Sequence, residues 1–427
     1  MVIRCHILLC VFCRLKIHLL CLYLVSILIK RQYKCALARI RCLRQKRKLR
    51  VLFIIGDPSK WKCQSVYDAM SISLDFEPYV VPTIMDAGFY SDSDQPNHYA
   101  RCKAFFLEKG LHVLDGVDAM GKMVPLRILN PDLVIYQQPY GVGFCQSPVS
   151  VCDMALTFYV PYYVIATGTD YGQHDAPIFK TLYGNFIETQ EWIDYYRRND
   201  SFLNADAKMF ACPSPFLDEI RLAGNGVQQE NAVIYAPHWA FPHSGNHTSP
   251  GTSTFLETGR CMLEFARNHP DIHWIFKPHP ALRERLVSSG VWSRQEVDSY
   301  YAAWESIGEG YYTGDYLQIF YRSRALITDC GSFLSEYLYL DRPIIRIENE
   351  AANRFPKAAA KKFDAFYRVS EIADLNDVLN RVVVQCDDYK RVDRMHVIED
   401  VCKRGESAAS CMLGIFRTLL DCENDGK

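Results

Sequence analysis

Three stretches in the C-terminal half of the chain put polar, titratable residues directly after apolar runs. The first is Leu326-Ile327-Thr328-Asp329-Cys330-Gly331-Ser332-Phe333-Leu334-Ser335-Glu336-Tyr337-Leu338. Its apolar run ends in Thr-Asp, turns through Cys-Gly-Ser and resumes with apolar residues at helical spacing. That order predicts a buried strand, a tight loop and a helix N-terminus. Gly331 lets backbone approach a ligand, Ser332 can cap, and the free N–H groups face an anion. Glu336, early on the same helix, is placed to reach a ribose. The second stretch, Lys277-Pro278-His279-Pro280, follows a strand expected over Ile272 to Phe276. Lys277 and His279 bring a cation and an imidazole to a sheet's C-terminal edge, where open α/β sheets bind ligands. A third run, Val233-Ile234-Tyr235-Ala236-Pro237-His238-Trp239, repeats the arrangement and supplies His238. Singly, each reads equally as an ordinary turn or surface loop. Together they imply one convergent site.

The elements that would carry these residues alternate. Val51 to Gly56 reads as a first parallel strand, Gln64 to Leu74 as helix, and Tyr79 to Ile84 as a second strand. Arg101 to Leu107 is helical, and Leu133 to Gln137, Thr157 to Ile165 and Ala207 to Cys212 read as strands. Strand and helix in alternation predict a parallel sheet. Leu222-Ala223-Gly224-Asn225-Gly226 breaks the pattern, and a second run of strands and helices starts at Val233 and ends near Gln385. The expected domains are 1–50, 51–222, 230–386 and a helical segment 387–427 that packs back on the first domain.

These residues resemble the CDP-glycerol glycerophosphotransferase family, the teichoic-acid polymerases and their capsule-synthesis relatives. The Tyr-Ala-Pro strand end, the Lys-Pro-His-Pro loop, the Asp-x-x-Ser turn with its Glu-Tyr-Leu, and Asp341-Arg342-Pro343-Ile344-Ile345 match in order and spacing. Looser likeness extends through Ser59-Lys60-Trp61-Lys62-Cys63-Gln64-Ser65 and Pro131 to Pro139, covering roughly residues 50 to 385. The resemblance implies a GT-B-like α/β fold of two facing Rossmann-like domains with parallel sheets. It implies transfer of a phosphopolyol from a CDP-linked donor to a membrane-linked polymer acceptor. It also makes His279 the match of a loop histidine the family needs for activity.

In that chemistry positioning and charge neutralisation dominate. The donor diphosphate would sit at the helix after Asp329, on Gly331 and Ser332, with Lys277 and His279 meeting the developing charge. Arg283 and Arg285 follow on a helix and read either as substrate contacts or as a solvated face. His238 stands where the polymerases usually have Thr, so the resemblance gives it no role. The polymerases also carry a Trp-His-Gly element for the acceptor hydroxyl, and this chain has Gln138-Pro139-Tyr140-Gly141 instead. Asp153, Asp170 and His174 lie nearby, and His174 is the first choice of base. No carboxylate cluster suggests a metal, and no cofactor is expected. A nucleotide-sugar glycosyltransferase and a catalytically dead scaffold are the alternatives.

Length and charge bound the rest. A chain of 427 residues with net charge −1 makes two or three domains. The average hides an N-terminus without Asp or Glu from Met1 to Gly56 and with a basic run from Lys30 to Arg50. Ile17 to Ile29 is apolar but shorter than the roughly 20 residues of a membrane span. The expectation is a helix lying on an anionic membrane surface at the cytoplasmic face, and no core contact before Val51. A single span and a true start after residue 30 remain alternatives. Nucleic acid is not expected, because no aromatic interleaving accompanies the charge. The 17 scattered cysteines, without a recurring C-x-x-C pair, suit a reduced compartment.

Overall fold

The computed structural model describes residues 24–85, 95–162, 177–198, 208–223, 227–242, 251–311, 316–349, 362–402 and 407–421. The chain divides into two α/β units. The first takes its described residues from before 162, from between 177 and 212, and from 409 onward; the second runs from 213 to 408.

In the first unit a helix over 24–44 (α1) leads into β1 (Leu49–Ile55), α2 (Gln64–Ile72), β2 (Phe76–Pro82) and α3 (Gln95–Glu108). Then come β3 (Leu133–Tyr136), β4 (Leu156–Tyr159), β5 (Gly184–Ile187), α4 (Gln190–Arg198) and β6 (Lys208–Ala211). The six strands form one parallel sheet in the order β2-β1-β3-β4-β5-β6. β1 is apolar almost throughout because both its faces are covered. β5 escapes a pattern reading, since Gly184-Asn185 opens it and leaves only two apolar residues. The strand expected over Thr157 to Ile165 ends at Tyr159, and residues 163–165 lie outside the described residues.

The largest departure from expectation is α1. Ile29, Tyr33, Ala36 and Ile40 recur at helical spacing and are buried in the first unit's core with Leu49, Phe158 and Phe416. Tyr33 Oη bonds Thr157 Oγ1 at 2.5 Å and donates to the Thr181 carbonyl at 2.7 Å. Much of the basic run is folded into the body as well. Arg39 donates to the Met154 carbonyl, Arg41 and Arg44 to carbonyls of Leu419 and Arg417, and Arg47 to Asp132. Segment 24–50 is therefore part of the unit's core, not a detachable anchor. Among the described residues no helix is long and apolar enough to cross a membrane.

The second unit contains α5 (Phe216–Ala223), β7 (Ala232–Ala236), α6 (Phe255–Asn268), β8 (His273–Phe276), α7 (Leu282–Ser288), α8 (Arg294–Ile307) and β9 (Gly308–Gly310). It continues with α9 (Leu317–Arg322), β10 (Ser323–Thr328), α10 (Gly331–Leu338), β11 (Ile344–Ile347), β12 (Tyr367–Val369), α11 (Ile372–Val378) and α12 (Arg391–Cys402). Its parallel sheet runs β12-β11-β10-β7-β8-β9. Tyr235, Phe276 and Trp304 stack in its core, the last two 5.0 Å apart with nearly parallel rings. The closing segment is shared between the units. α12 belongs to the second, where fully buried Arg394 pairs with Asp341 and Asp388. The final helix, Ala408–Leu420, lays Phe416 against Phe76, Phe158 and Phe186 of the first.

Ile40→Ala should destabilise the protein by about 2–5 kcal/mol, the range for a buried aliphatic truncation. Removal of residues 1–50 should yield insoluble or unfolded protein. Urea denaturation of the point variant and sedimentation of the truncation are the measurements.

Candidate active site

β10, β7 and β8 are neighbours in the second sheet, so the three motifs emerge side by side at one C-terminal edge. Thr328 pairs with Ala236, and Tyr235 with Phe276, which places Asp329, His238 and Lys277 a residue or two beyond aligned strand ends. His279 N–H donates to the Pro237 carbonyl at 2.9 Å and ties the second loop to the first.

Asp329 sits at the junction. Its Oδ1 accepts the His238 N–H at 2.6 Å. Its Oδ2 accepts the Thr254 N–H at 2.7 Å, Ser253 Oγ at 2.8 Å and Thr254 Oγ1 at 3.2 Å. Burial pushes its carboxyl above the ordinary carboxylate range, and these four donors pull the other way. Both oxygens are occupied, so the carboxylate fastens the β7–α6 loop to the β10–α10 turn. Ser253 and Thr254 have no signature in the sequence, because they precede α6 as an ordinary Ser-Thr start.

The two histidines meet edge to face, ring centres 5.0 Å apart. In each, Nδ1 accepts a backbone N–H two residues ahead, from Ala240 at 3.2 Å and from Ala281 at 3.1 Å. That bond puts the ring proton of a neutral imidazole on Nε2. Burial draws His238 down to about 4, so it is uncharged at neutral pH. Trp239 packs against both rings, and Arg285 lies 5.0 Å from its centre. Arg283 is instead exposed, paired with Asp298 at 2.8 Å and stacked on Tyr301.

Lys277 is 6 % exposed. Its ammonium lies over the Phe333 ring at 5.8 Å, no carboxylate among the described residues pairs with it, and burial lowers its proton affinity. Beside it α10 begins at Cys330 without a side-chain cap. Gly331 and Ser332 are its first two residues, and buried Glu336 accepts from Tyr316 Oη at 2.7 Å. An uncapped helix start next to a buried cation attracts an anion.

A further cation there was not singled out from the sequence. Arg346, paired with Thr328 across β10–β11, is 3 % exposed and pulled by burial to about 10. It meets Glu348 at 2.9 Å, and Arg368 binds the same carboxylate. The signal was an Arg closing the apolar run Ile344-Ile345, next to the motif that ends in those residues.

In the first unit, Gln138 Oε1 at the end of β3 accepts from the Gly56 and Asp57 N–H groups. Gln137 Oε1 accepts from the Lys62 N–H, while its buried Nε2 has no acceptor among the described residues. His98 of α3 places Nε2 at 2.7 Å from the Gly56 carbonyl, so a histidine stands at this edge although the strand-end sequence shows none. His174 lies outside the described residues.

The family model described as "CDP-Glycerol:Poly(glycerophosphate) glycerophosphotransferase" matches residues 169–353, which contain all three strand-end motifs. Comparison with curated proteins gives no match. Among solved structures, the wall teichoic acid polymerase TagF is 12 % identical with TM-score 0.51, covering 93 % of this chain and 95 % of that one. A UDP-N-acetylglucosamine 2-epimerase from Rickettsia bellii is 12 % identical with TM-score 0.56, covering 88 % and 98 %. A putative UDP-N-acetylglucosamine 2-epimerase from Listeria monocytogenes is 13 % identical with TM-score 0.56, covering 87 % and 96 %. At these identities the likeness establishes a GT-B-like fold, and the family match bears out the resemblance read from the motifs.

Two outcomes test the geometry. Asp329→Ala strands buried donors, each at about 1–3 kcal/mol, and should lower the melting temperature markedly. Because the folded His238 titrates at about 4 against 6.5 for the free side chain, unfolding takes up a proton between those values. This group's contribution is fully present above pH 6.5 and is lost as pH falls toward 4. Denaturation profiles of wild type and His238→Gln should therefore diverge only below that upper pH.

Proposed function

We propose that this chain, a transferase of the glycerophosphotransferase type, moves a glycerol-phosphate or related phosphopolyol from a CDP-linked donor to a hydroxyl of a membrane-linked cell-wall or capsular polymer. The observation that carries the reading is Lys277, buried beside the start of α10, which has no side-chain cap, and without a carboxylate partner among the described residues. The donor's diphosphate belongs there, on the Gly331 and Ser332 end of the helix, with Arg346 adding positive potential. In the reaction the acceptor oxygen forms a bond to the transferred phosphorus as the bond to the CMP oxygen breaks. CMP departs with the bridging oxygen, the acceptor proton passes to a base, and the product is a phosphodiester.

Charge on the phosphoryl oxygens and on departing CMP is met by Lys277 and by Nε2–H of His279, whose ring is held by Ala281 and braced by His238 and Trp239. Neutral His238 leaves that ring without a competing charge at its edge. Asp329 acts as a positioning residue, because its oxygens are spent on loop contacts. The base is proposed to be His174. The reaction is proposed to run at the cytoplasmic face of the membrane, the protein peripheral or held by a single N-terminal anchor.

Lys277→Met keeps the buried stem and removes the charge. It and His279→Ala should each lower CMP release from CDP-glycerol by about 10²–10³-fold with the fold intact by circular dichroism. More than half of wild-type turnover in both would refute the assignment. Release of a nucleoside diphosphate from a sugar donor, with no CMP from CDP-glycerol, would replace it by glycosyl transfer. His174→Ala, read on the same assay, tests that base.

A further inference from the structure

Between α6 and α8 of the second unit lies a groove of about 380 Å³, lined by none of the residues placed at the three strand ends. That volume falls within the roughly 300–1,000 Å³ typical of ligand sites. Its floor is aromatic. Trp292, just before α8, and Tyr300, on that helix, are both buried and meet edge to face at 5.2 Å. Phe255, the first residue of α6, backs both rings. The Arg260 guanidinium lies 5.3 Å from the centre of the Trp292 ring, so donors and aromatic surface occur side by side. Arg260 and Glu296 are the charged residues among those lining the groove, and they stand 3.8 Å apart. Gln295 and Ser299 add an amide and a hydroxyl from α8.

The capping box at the start of α8 fixes the carboxylate. Glu296 Oε2 accepts the Ser293 N–H at 2.8 Å and Ser293 Oγ at 2.9 Å, and Oε1 is the atom that faces Arg260. A cation and a carboxylate this close offset one another, so the groove favours neither sign of ligand charge. An anion would face Glu296, and a cation would face Arg260. What remains is a set of hydrogen-bonding groups over an aromatic floor. Arg260 only donates, ionised Glu296 only accepts, and Gln295 and Ser299 do both. Adjacent hydroxyls on a carbon chain need that mixture, because each donates once and also accepts, while their C–H groups lie against an aromatic ring. We propose that this groove binds a neutral polyhydroxylated ligand, a sugar ring or an open-chain polyol. The site stands apart from the phosphoryl-transfer residues and does not rest on that reading.

The first test is ligand-observed NMR titration of the full chain with maltotriose, chitotriose, ribitol, glucuronate and glucosamine. At least one of the three neutral probes should bind, and more tightly than both charged ones. Tighter binding of a trisaccharide would assign the groove to sugar rings, and tighter ribitol to open-chain polyols. No binding of any neutral probe at millimolar concentration, or tighter binding of either charged one, would overturn the proposal.

The second test places the binding. Ser299 is exposed, so Ser299→Trp should fold normally, fill the groove and abolish binding of the best neutral probe. Ser306→Trp makes the same exchange at an exposed position of α8 outside the groove and should leave affinity unchanged. Arg260→Met keeps a stem against Trp292 and removes the donors, and it should weaken binding about tenfold, the effect of one hydrogen bond to a charged group. Equal losses in the two tryptophan variants, or none in Ser299→Trp, would rule the groove out. Circular dichroism shows whether each variant is folded, and every readout is binding, so the outcome is independent of turnover with CDP-glycerol.

Discussion

A carboxylate buried where three chain segments meet constrains the second unit more than any other single group. Asp329 would be costly in that position if its charge were unanswered. Four donors answer it, two from backbone and two from hydroxyls. Those donors come from both ends of the β7–α6 loop, and the carboxylate itself stands where β10 turns into α10. The bonds therefore fix the loop that carries His238 and Trp239 relative to the helix start that Lys277 overlooks. Thr328 tightens the same corner, donating to the Ala236 carbonyl and accepting from Cys330. Since His279 N–H holds the Pro237 carbonyl, the third loop is linked to the other two.

On this frame the charges are unequal by design of the fold. Lys277 and Arg346 are both buried, and burial lowers the proton affinity of each. Arg346 and Arg368 both meet the Glu348 carboxylate. Lys277 meets the aromatic face of Phe333. The helix start beside them adds its own partial positive charge. The diphosphate of the proposed donor would supply negative charge here, and burial would make each contact stronger than it would be in water.

The first unit answers a different problem. Its N-terminal segment looks like an appendage by charge, yet its arginines serve as caps. Arg41 and Arg44 satisfy carbonyls at the end of the C-terminal helix, and Arg47 with the Arg50 N–H satisfies buried Asp132. α1 and the final helix thus cover the same sheet, one through Ile40 and Tyr33, the other through Phe416.

The sequence by itself determined the alternation of strands and helices, because burial on both faces of a parallel strand demands an apolar run such as Val233 to Ala236. It also determined the three strand-end motifs, because strand-end loops read as sharp breaks from apolar to polar. The spacing of Ile29, Tyr33, Ala36 and Ile40 was equally present, but the basic residues between them dominated the reading. Local sequence cannot say whether an arginine meets lipid, water or a helix's last carbonyls. Only the tertiary structure decided that Asp329 faces inward to four donors, that Arg283 is an outer-face ion pair, and that Arg346 and His98 stand at the sheet edges. The reason is common to all of these. Strand formation is governed by neighbours along the chain, whereas the partner of a polar side chain is set by residues such as Thr254, Asp298 or Gly56 that only the folded chain brings within hydrogen-bonding distance.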